Sequence, residues 1–155
     1  MNKIKILMII FFGVLISSCS SKQINVSTIK LSNEVYDRIA IDTLGIVKEY
    51  LNPKANTIYI FGADDKDLFL ASLDFNLRNA GYPVHQLKKQ VDALKDDDIA
   101  FSFILDTISK SKIEKNVLST VRYTFSINNI TCSKLYEINN FQEIMFKSEW
   151  NCLGE

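Results

Sequence analysis

The sequence predicts an α+β domain, with two helices packed on one face of a small mixed, mostly antiparallel sheet, after a cleaved lipoprotein signal peptide. Three observations carry this. Apolar residues recur at helical spacing between 34 and 50 and again between 68 and 80, with a β-branched strand between them. From Val121 onward, apolar and polar residues alternate one for one, the pattern of half-buried antiparallel strands. The chain opens on Lys3 and Lys5, a short apolar run from Ile6 to Ile16, and Ser17-Ser18-Cys19.

That opening has the parts of an export signal: a basic start, an apolar core and small residues before cleavage. The core is shorter than the roughly 20 apolar residues that a spanning helix needs. Cys19 closes it as the cysteine of a lipobox, where a thiol carries diacylglycerol before the signal is removed and the new amino group is acylated. These acyl chains on Cys19 are the only non-protein group expected, and they anchor the chain to a membrane. The segment resembles bacterial lipoprotein signals, in which aspartate after the cysteine marks inner-membrane retention; Ser20 stands there instead, so the resemblance implies the periplasmic side of the outer membrane.

Residues 1–18 are thus read as the signal peptide, 19–31 as the lipidated N-terminus and tether, and 32–155 as one domain. The full chain is formally neutral. Loss of Lys3 and Lys5 leaves a slightly acidic mature protein with no clustered basic face, which excludes a nucleic-acid partner. Ile24, Val26 and Ile29 leave two readings of the tether open, a solvated linker or a short strand formed with a partner.

Ser32 or Asn33 can cap the first helix, with Tyr36, Ile39, Ala40, Thr43, Val47 and Tyr50 on one face and Asn52-Pro53 ending it. Thr57 to Phe61 reads as a buried strand closed by Gly62. Asp64 or Asp65 can cap the second helix, whose stripe of Phe69, Leu73, Leu77 and Ala80 is widened by Leu68, Ala71 and Phe75. Gly81 supplies a positive φ at its end and Pro83 stops it. Strands are expected at 82–87 and 99–108, with at most a short helix near Val91 and Leu94, and a lysine-rich loop from Lys110 to Lys115. Val121, Tyr123, Phe125 and Ile127 face one way, and Asn128-Asn129 suits a tight hairpin. The return strand puts Ile130, Cys132, Lys134, Tyr136 and Ile138 on one face, and the last strand Ile144, Phe146, Ser148, Trp150 and Cys152.

Cys132 and Cys152 remain after lipidation. They either pair as a structural disulfide, which an oxidising periplasm permits, or sit as buried free thiols. Pairing them sets Ile138 opposite Phe146 and Asn140 opposite Ile144, with a loop of 141–143. His85 stands alone and reads as structural. Asp64 to Asp67 and Asp96 to Asp98 lack the glycine and glutamate of a calcium loop and read as caps and turns, so no metal is expected. No nucleophile elbow or phosphate-cradling glycine loop occurs, so no enzyme activity is expected. Trp150 and Tyr136 read as core. The tether and an adjoining sheet edge are the natural docking elements.

Ile39-Ala40 and Asp42 in the first helix, Pro53 before Thr57-Ile58-Tyr59-Ile60, then Leu73, Leu77-Arg78, Gly81-Tyr82 and Val84 together resemble the TrbH family of conjugal transfer lipoproteins. The resemblance spans about 39–84. It implies a structural or assembly component of a type IV secretion or conjugal transfer apparatus, anchored in the outer membrane and partnered by other envelope or secretion-channel proteins. Similarity to the N-terminal periplasmic module of secretins implies a ring-forming oligomer. A second function class is a periplasmic lipoprotein that binds or assembles envelope material such as lipopolysaccharide, in a concave apolar site between helices and sheet.

Overall fold

The computed structural model describes residues 26–62, 64, 66–88, 94–113 and 116–154. The signal segment 1–18, Cys19, Ile24, Asp65, Val91 and Lys115 lie outside the described residues. In chain order the elements are β1 (Val26–Ser27), α1 (Asn33–Tyr50), β2 (Thr57–Phe61), α2 (Leu68–Asn79), β3 (Val84–Leu87), β4 (Asp98–Ile113), β5 (Asn116–Ile127), β6 (Ile130–Ile138), β7 (Ile144–Lys147) and β8 (Asn151–Leu153).

The sheet runs β3-β2-β4-β5-β6-β7, with β1 added to β4 and β8 to β6. The pairings among β3, β2, β4 and the added β1 are parallel and the others antiparallel. Both helices lie on the face formed by Ile58, Ile60, Phe101, Phe103, Leu105, Tyr123, Phe125 and Tyr136. Phe69 of α2 fills the centre, its ring 4.9 Å from Phe103, 5.1 Å from Tyr123 and 6.0 Å from Tyr36 of α1. The centre of the layer between helices and sheet is therefore packed with aromatic rings.

Ser32 caps α1 by accepting from the Val35 amide at 3.3 Å, and Leu51 ends it in an extended conformation before Pro53. Tyr50, expected on the buried face, is 45% exposed at the fraying end. The cap of α2 is Asp67 and not Asp64: its Oδ1 accepts from the Phe69 and Leu70 amides at 2.9 and 3.1 Å, while Asp64 Oδ1 accepts from Lys66 N in the preceding turn. Leu68, Ala71 and Phe75 do not widen the core stripe. At 100° per residue they fall roughly opposite the arc of Phe69, Leu70, Leu73 and Leu77, and Phe75 is 62% exposed. The C-terminus of α2 is a Schellman turn: Gly81 N donates to Arg78 O and Tyr82 N to Leu77 O, with Gly81 at φ +91°.

Three strand expectations are corrected. β4 and β5 continue through the lysine-rich segment as a two-stranded ribbon, pairing Ser109 with Thr120 and Lys110 with Ser119 after a bulge between Thr107 and Ser109. The apolar run that predicts a strand over 99–108 stops because the ribbon outruns the core, not because the strand ends. The final strand is broken into β7 and β8. β8 holds the expected register, with Cys132 opposite Cys152, but β7 is shifted so that Ile138 faces Ile144 and Glu137 faces Phe146. The shift follows from a longer loop, in which the Asn139 Oδ1 accepts from the amides of Phe141 and Glu143 and Gln142 takes φ +63°. It turns Phe146 outward, 56% exposed.

Residues 26–31 belong to the domain. β1 pairs parallel to β4, Ile29 and Leu31 pack against the core, and the Tyr36 hydroxyl donates to Ile29 O while accepting from Leu31 N. The short-strand reading of this segment holds, with the domain's own sheet as the partner.

Replacing Asp67 with alanine removes the acceptor for two free amides and should lower unfolding stability by about 1 kcal/mol in denaturant titrations. Asp64→Ala should stay within about 0.5 kcal/mol of the parent.

Candidate functional site

A charged cluster ties α1 to the β6–β7 edge of the sheet. Asp42 Oδ2 accepts from Lys134 Nζ and from the Tyr136 hydroxyl, each at 3.2 Å, and Asp42 Oδ1 accepts from Lys147 Nζ at 3.1 Å. Lys134 sits in the inward row of β6, its side chain 8% exposed, with its ammonium 5.1 Å from the Trp150 ring centroid. A lysine survives there because a carboxylate and a π face replace its lost water. Burial alone would raise the Asp42 carboxyl. The hydrogen bonds and charges of Lys147 and Lys134 outweigh it and hold the group below the ordinary aspartate value. Burial, reinforced by Asp42, pushes the Tyr136 phenol upward, so it remains a protonated donor.

The residues from Leu77 to Val84 form a second tie. Leu77 is buried, Arg78 Nε pairs with Asp74 at 2.8 Å and Arg78 Nη2 donates to Val84 O, and the Tyr82 hydroxyl donates to Leu51 O at the end of α1. A Cβ on Gly81 would lie 3.8 Å from Pro53. Between the helices, Asp37 Oδ1 accepts from Ser72 Oγ and Asn76 Nδ2. Leu-Arg, Gly-Tyr and Val thus join the end of α2, the end of α1 and the start of β3, while Asp42 joins α1 to β6.

Beside α1 the edge strand β7 borders a groove of about 1010 Å³. Val35, Arg38 and Asp42 form one wall; Phe141, Met145 and Phe146, between 56% and 71% exposed, form the other. At the other end of the edge, Cys132 and Cys152 are joined as a disulfide with Cα atoms 4.0 Å apart. It pins β8 and holds Trp150 edge-on to Tyr123 and Phe125.

Of the remaining expected residues, Cys19 lies outside the described residues. His85 is exposed and stacked on Tyr59 at 5.0 Å. Asp98 accepts from Lys95 N in a turn. Among the described residues no group of His, Cys, Asp or Glu is arranged to hold a metal, and no helix is long and apolar enough to cross a membrane. The sequence reading missed the Asp42 cluster as a unit and the groove beside β7. Lys134 in an otherwise apolar row was the signal for the first, whereas the second depends on the register shift of β7.

The class defined by this geometry is a two-layer α+β domain with an apolar-rimmed open edge and an N-terminal segment integrated into its sheet. The family model described as conjugal transfer protein TrbH matches residues 19–148, and the chain belongs to that family. No curated protein and no solved structure matches it. Family membership makes the chain a conjugal transfer component.

Asp42→Asn should cost about 2 kcal/mol at neutral pH, because Lys134 is left buried without its counter-charge. Since the folded carboxyl titrates below its unfolded value, its stabilisation is complete above about pH 4 and is lost as pH falls through the folded value. Melting temperature should therefore drop more steeply below pH 4 in the parent than in Asp42→Asn. Cys132→Ser with Cys152→Ser should lower stability by roughly 2–4 kcal/mol, read by melting under non-reducing conditions.

Proposed function

We propose that the chain is an outer-membrane lipoprotein, acylated at Cys19, that serves as a structural and assembly component of a type IV secretion or conjugal transfer apparatus. The observation that carries this is the start of the family match at Cys19, the residue at which the lipobox reading places cleavage and acylation. The signal-like segment before it falls outside the match, as a removed leader would. Ser20 favours the outer membrane.

The domain offers two elements for assembly. The edge of β7, with Phe141, Met145 and Phe146 beside it, presents backbone and apolar side chains to an extended segment of another envelope or channel protein. The exposed outer stripe of Leu68 and Phe75 on α2 supplies a second apolar contact. Repetition of either contact around an axis would build a ring of copies.

Fractionation of cells expressing the full chain tests the reading. Cys19→Ala should leave the outer membrane and lose co-purifying secretion-channel subunits, while the melting temperature of the domain is retained. An outer-membrane complex that forms unchanged with Cys19→Ala would overturn it.

A further inference from the structure

Residues 28–31, on their way from β1 to α1, close a pocket of about 490 Å³ against the β4–β5 ribbon and the β6–β7 loop. That volume lies within the range of about 300–1,000 Å³ typical of small-molecule sites. Two lysines, Lys30 and Lys110, line it, with hydroxyls from Thr28, Thr107 and Ser119 and amides from Asn139 and Gln142. Among the described residues that line it there is no carboxylate. Neither lysine has an ion-pair partner among the described residues. Glu143, the acid of the same loop, lines the groove beside β7 instead, where Asn139 Nδ2 donates to it at 2.8 Å.

Gln142 adds an independent sign of construction. It holds φ +63°, a conformation that residues other than glycine and asparagine rarely adopt, and its amide donates to Asn139 O at 3.1 Å. Its side-chain Oε1 accepts from Ser32 N at 3.0 Å, which leaves the Nε2 protons as the donors of that side chain. Asn139 Nδ2 and Thr28 Oγ1 already donate to Glu143 and to Leu105 O. Two ammonium groups unpaired among the described residues, with the Thr107 and Ser119 hydroxyls and Gln142 Nε2, match an oxyanion of more than one charge with acceptors in several directions. A planar carboxylate uses fewer of them.

We propose that this pocket binds a phosphate group. The phosphate has two possible sources, a membrane lipid headgroup or free phosphate. Thr28 is nine residues beyond Cys19, a span of at most about 30 Å, so an anchored domain keeps the pocket near the headgroups. The headgroup source rests on the lipoprotein reading above; the pocket does not.

The test titrates the full-length protein in a neutral detergent, by calorimetry, with inorganic phosphate and separately with dihexanoyl phosphatidylglycerol below its micellar concentration. Saturable binding that weakens at least tenfold in the Lys30→Gln/Lys110→Gln double variant is expected. The melting temperature should be unchanged, because both lysines are exposed. Tighter binding of the lipid assigns the headgroup, and equal affinity assigns free phosphate. No saturable binding of either probe, or parent-like binding by the double variant, overturns the proposal. Such a failure with anchoring through Cys19 intact would leave the proposed function standing.

Discussion

Strand β4 carries hydrogen-bonded neighbours on both edges, with β2 and then β1 along one side and β5 along the other. Ile99, Phe101, Phe103 and Leu105 alternate into the core, so slipping its register by one residue would expose all four and bury Ser102 and Asp106. The parallel pairing with β2 places β4 on the opposite side of β2 from β3, whose own crossover from β2 runs through α2, and the antiparallel pairing with β5 begins the hairpins that follow. Beyond the bulge at Thr107 the alternation no longer has a core to serve, and the ribbon carries Ile108 and Lys110 in solvent.

The polar interior is limited and placed where layers meet. Asp42, Lys134 and Tyr136 cost desolvation that their mutual contacts offset, and in return fix which turn of α1 lies over which residue of β6. Arg78 and Tyr82 fix the other end of the same helix pair through backbone carbonyls. The short family signature is therefore a set of ties between elements. Arg78, Tyr82 and Asp42 each join one element of the fold to another.

Two concavities of the domain lie where the regular pattern breaks. The β6–β7 loop spends a left-handed Gln142 and a side-chain-capped Asn139 to shift β7, and that shift exposes Phe146 beside the α1 groove. The same Gln142 reaches Ser32 and borders the lysine pocket, so one loop conformation shapes both concavities.

The sequence by itself determined the two-helix, mixed-sheet class and the buried rows of β5 and β6, because 3.6-residue and two-residue periodicities are local properties of the chain; it left the pairing of Cys132 with Cys152 open, and the structure joins them. The sequence also carried the Ile39-to-Val84 resemblance, since caps, glycines and buried rows are legible one residue at a time. Tertiary structure alone decided the cap at Asp67, the outward turn of Phe75 and the continuation of the β4–β5 ribbon past Ile108. It also decided the register of β7 and the meeting of Asp42 with Lys134 and Lys147. Each of these depends on which neighbour competes for a backbone amide, a face or a charge across as many as 105 residues of sequence, and periodicity holds no record of that competition.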